Sequence, residues 1–218
     1  MLEKLPDQLG HLLQGQRAGL ENIALNRLLT RRTLQRLSVH SSAFEHFKSI
    51  PSAYTADGAG LSPPLDWRGV PSGAGSVVLI VEDADSPTPN PLVHAIAVNL
   101  AAADDFLPVG ALTQAHGATG AIPQVPTGLN SFLMHGWLPP DPPPGHGQHR
   151  YAFQVFALAH GPDFSASPGR QELFDAISTR AVAAGCLIGT YERAQTVSTK
   201  AIEPERALDD ADIASATA

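Results

Sequence analysis

Apolar positions change their spacing along this chain, and each change marks a different kind of element. In the first 40 residues Leu9, Leu12, Leu13, Leu20, Ile23, Ala24, Leu28 and Leu29 recur at mixed three- and four-residue intervals, which predicts a helical region interrupted near Gly15 and Gly19. From about Leu37 the pattern becomes short β segments separated by turn residues. The most informative is five consecutive aliphatic residues, Val77 to Val81, running into Glu82, Asp83 and Asp85. A loop with Pro87, Pro89 and Pro91 follows, and then a second apolar run to Leu100 that carries His94. This reads as strand, loop, strand, with carboxylates and a histidine gathered at one end.

Upstream, the segment from Tyr54 to Pro71 is dense in Gly, Pro and Asp and predicts a tightly turned loop leading to Leu65 and Trp67. Ala101 to Gly128 has little periodicity and reads as a long excursion over the surface. Prolines 139, 140, 142, 143 and 144 hold the next loop extended. His149 to Ala159 then alternates as a strand, so that His149, Tyr151, Phe153 and Val155 share one face and Arg150, Ala152, Gln154 and Phe156 the other. A helix is expected over Arg170 to Ala184, behind Ser167 and Pro168 and stopped by Gly185, with Leu173, Ile177 and Ala181 turned inward. The last strand is Cys186 to Arg193. The expected organisation is a helical extension over residues 1–40, one domain over 41–196 and a flexible tail over 197–218.

Composition adjusts this picture little. With 218 residues, 43% hydrophobic and 16% charged, the chain suits one domain with a substantial core, and 19 Gly and 19 Pro favour a loop-rich β architecture over a helical bundle. A net charge of -7 argues against a general nucleic-acid binder, so any anion site must be local. The one cysteine, Cys186, excludes an internal disulfide and reads as a small buried apolar residue. The amino terminus lacks a signal-peptide core and no run is long enough to cross a bilayer, so the expected location is cytoplasmic, with no transmembrane segment. Half of the Lys and Arg residues fall in the first 48 positions, and this extension is expected to pack on the domain or to serve self-association in a homodimer.

Several motifs occur together in one order. DGAGLSPPLDW (Asp57 to Trp67), DADSP (Asp83 to Pro87), His94 and Asn99, PPDPPPGHGQHRYAFQVFAL (Pro139 to Leu158) and LIGTYER (Leu187 to Arg193) resemble the phosphatidylethanolamine-binding protein family, more narrowly its bacterial Raf-kinase-inhibitor-like branch. The resemblance covers about Phe44 to Arg193. It implies a mainly β fold, a sandwich of a large central antiparallel sheet and a smaller second sheet with peripheral helices. It also implies a small-anion pocket of Asp83, His94, His149 and Tyr151 walled by Pro139 and Pro140, with Asp85 and Pro87 organising the loop. Two imidazoles and a phenol can each donate to phosphate oxygens, and a carboxylate beside them can orient an imidazole. The ligands implied are phosphate, a phosphoethanolamine-like head group or a nucleotide. Where the family usually has Pro and Ala in the DADSP loop this chain has Ala84 and Ser86, and Asp141 replaces a common Cys.

On this reading the chain is a non-catalytic binding protein that needs no cofactor and is expected to regulate a partner protein. One alternative is an inhibitor of a protease or kinase acting through surface loops. Another is a hydrolase using Asp83, His94 and His149 with or without a metal, although the sequence has no Gly-x-Ser-x-Gly elbow and no His-x-x-x-His spacing. His135, His146 and His160 read as loop or surface residues, His40 and His46 have no constellation around them, and Arg150 and Arg193 read as structural ion-pair partners.

Overall fold

A computed structural model describes residues 7–30, 33–113 and 125–193. The expected tail over 197–218, and part of the excursion between Ala101 and Gly128, lie outside the described residues.

The long aliphatic run forms β5 (Ser76–Asp83), an inner strand of a six-stranded sheet. It pairs antiparallel with β6 (Leu92–Leu100) on one side and β8 (His149–Leu158) on the other, and β8 pairs antiparallel with β9 (Ala181–Tyr191). Two short strands, β1 (Gln35–Arg36) and β3 (Lys48–Ser49), add to β9 in parallel, so the large sheet is mixed rather than wholly antiparallel. The second sheet has three antiparallel strands: β2 (Ser38–His40), β4 (Leu65–Arg68) and β7 (Asp105–Leu107). β7 comes from the expected surface excursion, in which Leu107, Ala111 and Leu112 are in fact buried.

Both faces of β5 are covered, which is why its sequence is a continuous apolar run and not an alternating one. Val77, Leu79 and Val81 point into the sandwich, against Val39, Trp67, Phe153 and Leu187. Val78 and Ile80 point the other way, onto Leu28 of α2 (Ala24–Leu29) and onto Leu173 and Ile177 of α3 (Arg170–Arg180). The two carboxylates that follow inherit this alternation. Glu82 falls on the helix face and Asp83 at the end of the sandwich face.

Helix α3 ends at Arg180, and Ala181 to Ala184, expected as its last turn, open β9 instead. Alanine favours helix by local propensity, but Ala181 pairs with Leu158, Ala183 with Ala157 and Gln35, and Ala184 with Phe156. Gly185 therefore does not stop a helix. It lies inside the strand, where a Cβ would overlap the Leu37 carbonyl oxygen.

The amino-terminal region forms α1 (Asp7–Leu13), a 3₁₀ turn at Leu20–Asn22 and α2, with the expected interruption between the two helices. It packs on its own chain. Gln14 donates to the Gly145 carbonyl at 2.6 Å, and Arg17 to the carbonyls of Gln148 and His146 at 2.8 and 3.2 Å. The amides of Ala18 and Gly19 donate to the carbonyls of Ser86 and Ala84. The segment thus straps the 84–86 loop and the 145–148 loop at one end of the sandwich. Further on, Glu82 accepts from the Ala24 amide (2.7 Å), the Gln154 amide group (2.8 Å) and the Arg170 guanidinium (2.7 Å).

Two stability measurements test this packing. Glu82→Ala leaves two buried donors and Arg170 without their acceptor, and is expected to lower unfolding free energy by about 3 kcal/mol in a urea titration, with Glu82→Gln losing clearly less. A Cβ on Gly10 would overlap the Pro144 carbonyl oxygen. Gly10→Val should therefore unseat α1 while leaving the sandwich intact, seen as roughly tenfold faster hydrogen exchange at the amides of Gln16 to Gly19 with unchanged protection in β5 and β8. Unchanged exchange at those amides would contradict the docking described.

Candidate functional site

Strand pairing brings the site together. Asp83, the last residue of β5, lies opposite Tyr151 in the register with β8, and His149 begins β8 two residues earlier on the same face. His94 reaches that face by an irregularity. Val81 pairs with Ala95 but Glu82 with Val93, so β6 carries one extra residue there, and that residue is His94. Strict alternation would put His94 with Ile96 on the helix face. The bulge turns it into the sandwich instead, where its ring meets the Tyr151 ring edge to face at 5.1 Å and lies 6.2 Å from the Trp137 ring. Asp83, His94, His149 and Tyr151 are all buried. Leu138, whose carbonyl accepts from His94 Nδ1 at 2.7 Å, is followed by Pro139 and Pro140, which carry this wall onward to the loop at Ala56, whose amide donates to the Pro140 carbonyl.

The hydrogen bonds divide the site in two. One half is a closed chain. His149 Nδ1 meets Asp83 Oδ2 at 2.7 Å, His149 Nε2 meets His146 Nδ1 at 2.6 Å, and His146 Nε2 meets the Leu13 carbonyl at 2.8 Å. Asp83 Oδ1 accepts from the Asp85 amide. Satisfying all three links takes three protons shared among one carboxylate and two imidazoles, which makes the group neutral as a whole. His149 has no ring nitrogen left for a ligand. The other half is open: His94 Nε2 and Tyr151 Oη are buried and have no hydrogen-bond partner among the described residues.

Burial pushes the His94 imidazole below its ordinary range, against the pull of Asp83, so the ring is neutral. Its Nδ1 carries the proton that Leu138 accepts, and Nε2 is a bare acceptor. Burial holds the Tyr151 phenol well above its ordinary value, so it remains a donor. His146 is also pushed down by burial, with His149 adding to the effect.

Around this centre the charges are paired. Burial pushes the Asp85 carboxyl up, but hydrogen bonds from Arg150 and Arg17 outweigh it and hold the group below the usual carboxylate range. Asp85 also accepts from the Arg150 amide, so it fastens the loop to β8, while Ser86 Oγ accepts from the Leu92 amide across the loop that contains Pro87. Arg193 pairs with Asp141 at 2.6 Å and Asp57 at 2.7 Å, which lowers the Asp57 carboxyl, and Tyr191 donates to Asp57. Among the described residues no group of three or more His, Cys, Asp and Glu side chains converges as metal ligands would. Cys186 lies apart from the site, and burial pushes its thiol up to about 12.

His146, expected on a loop surface, is fully buried in the site, and Arg17 and Leu13 of the extension reach it as well. The one signal for His146 is its place in Gly145-His146-Gly147, three residues before His149. Nothing in the sequence pairs Leu13 or Arg17 with residues about 130 positions away. Trp137 supplies the aromatic neighbour of His94 from a loop, not from β6.

Comparison with known proteins agrees with this architecture. Residues 40–192 match the family model for phosphatidylethanolamine-binding protein. A UPF0098 protein of Pyrococcus horikoshii is 35% identical over 153 residues, spanning 70% of this chain and 75% of the relative. The crystal structure of a phosphatidylethanolamine-binding protein homologue from Chlamydia trachomatis superposes with a TM-score of 0.63 at 32% identity, covering 73% of this chain and 99% of that one. That of YbcL from E. coli, described as a member of the mammalian family, superposes with a TM-score of 0.64 at 25% identity, covering 72% and 98%. A match of this extent, over a sandwich with these two sheets, means that the chain belongs to the phosphatidylethanolamine-binding protein family.

Proposed function

We propose that this protein is a non-catalytic binder of a small phosphate-bearing ligand, held between His94 and Tyr151 at the closed end of the sandwich. The observation that carries the reading is the pair of unsatisfied buried atoms, His94 Nε2 and Tyr151 Oη, on rings that meet edge to face. Leaving a buried polar group unpaired costs about 1–3 kcal/mol each, and two on rings in contact, with the unpaired indole N–H of Trp137 nearby, mark a place kept for something else. Asp83, His149 and His146 do not touch the ligand on this reading. They hold Tyr151 and the β5 end in place and remain paired. The committed hydrogen bonds of His149 also disfavour it as a general base, which supports binding over hydrolysis.

The ligand's way in leads past the strap of residues 7–19, because the site is closed to solvent and that segment ties down the loops beside it. Ligand occupancy and strap position are thereby linked, and this is how the binder would report to a partner. The partner reading has its own support in the turn Phe132–Leu133–Met134. Its three apolar side chains are exposed, and its Ser131 is bonded to Val93 beside His94. In the cell we place the protein in the cytoplasm, as a homodimer. Among the described residues no helix is long and apolar enough to cross a membrane.

Calorimetric titration with phosphate, phosphoethanolamine and a nucleoside monophosphate separates a free anion from a head group and a nucleotide as the preferred source of the phosphate. Tyr151→Phe removes the unpaired hydroxyl without changing the packing. It is expected to weaken the preferred ligand about tenfold while raising unfolding stability by up to about 1 kcal/mol, the signature of a group kept for binding at the expense of stability. A destabilised Tyr151→Phe protein with wild-type affinity would sink the reading.

A further inference from the structure

The open half of the site contains an acceptor, His94 Nε2, beside the donor Tyr151 Oη and the unpaired indole N–H of the neighbouring Trp137. Leu138 can only accept, so the 2.7 Å contact fixes the proton of His94 on Nδ1 and leaves a lone pair on Nε2 facing Tyr151. A fully ionised oxyanion has only acceptors to offer and would set one of them against that lone pair. Nor is there, among the described residues around it, a free cation to receive it. Arg17 and Arg150 share Asp85, Arg193 is held between Asp57 and Asp141, and the Asp83, His149 and His146 group is neutral as a whole.

Resting on the anion-site reading above, we propose that the site selects a phosphate group in its singly ionised form: Tyr151 donates to a phosphate oxygen, and the P–OH hydroxyl donates to His94 Nε2. One ligand group then satisfies both buried atoms at once. The proton is supplied by the ligand and no bond is made or broken. Burying a monoanion in a centre without surplus positive charge costs less than burying a dianion, so charge and hydrogen-bond direction favour the same species.

Other groups facing His94 do not reverse this direction. Asp83 and Asp141 favour its charged form, while His149 opposes it, and burial outweighs them all, so the ring remains an acceptor through neutral pH. Tyr151, held protonated by burial with Asp83, Asp141 and Asp85 adding to the effect, remains the donor.

Inorganic phosphate and sulfate have nearly the same size and shape, but at neutral pH only phosphate still carries a hydroxyl. Calorimetry on the full chain between pH 6 and 8.5 should show phosphate binding at least ~100-fold tighter than sulfate at pH 6, because a site that needs a donor rejects a ligand lacking it. The affinity of a phosphate monoester such as phosphoethanolamine, whose doubly ionised form has no P–OH left, should in contrast fall roughly tenfold per pH unit once its singly ionised form becomes the minority species. Equal binding of phosphate and sulfate, or monoester affinity that is flat or rises with pH, would overturn the proton requirement and leave the anion site standing. If neither anion binds, the anion-site reading fails and this inference fails with it.

Discussion

Two consecutive carboxylates at the end of a strand that is buried on both faces constrain most of this structure. Val77 to Val81 have apolar neighbours above and below, and the chain then delivers Glu82 to one face and Asp83 to the other with no water to solvate either. An unpaired carboxylate there would cost several kcal/mol, so each must be surrounded by donors. Glu82 is met by the start of α2, by Gln154 and by Arg170, and becomes a junction between the sheet and its two covering helices. Asp83 is met by His149, and through it by His146 and the Leu13 carbonyl. One pair of residues thus anchors the scaffold on one side and the functional centre on the other.

The amino-terminal segment takes part in both networks, although it lies ahead of the residues 40–192 that match the family. The Ala24 amide completes the Glu82 group, and Leu13 and Arg17 complete the shell around Asp83 and Asp85. This is local electrostatics reaching across sequence. Arg17 answers a fully buried Asp85 that already holds Arg150, and the His146 proton needs an acceptor that the domain itself does not supply at that position. A segment that reads as an accessory helix is in this way built into the closure of the site.

Much of the scaffold was legible in the sequence because it rests on short-range pattern. The unbroken run of β5, the alternation of β8 and the turn chemistry between them are set by which faces are buried, and the family motifs fixed their order. What escaped rests on tertiary context. Ala181 to Ala184 are helix formers placed in a strand by pairing partners on β8 and β1. His94 reaches the site face only because β6 carries an extra residue opposite Glu82, and a bulge leaves no mark in a run of apolar residues. His146 was hidden for a different reason: a histidine between two glycines looks like a loop residue, and here the loop is pressed under the strap. The four residues assigned to the pocket by resemblance do come together, but their hydrogen-bond directions do not follow from their identities. Three groups that can each donate on paper become one donor, one acceptor and one fully committed ring.

That redistribution follows from the same demand that every buried polar atom be paired. His149 is used up because Asp83 must be neutralised, and His94 keeps a bare lone pair on Nε2 because Leu138 takes its proton. After these requirements are met, Nε2 of His94 and Oη of Tyr151 remain on two rings that meet edge to face, with the indole N–H of Trp137 unpaired beside them. The scaffold has no use for the Tyr151 hydroxyl: a phenylalanine would fill the same space without an unpaired atom. The persistence of the two atoms on rings in contact is the physical sense in which this end of the sandwich is a site, and the direction of their two hydrogen bonds describes the ligand they lack.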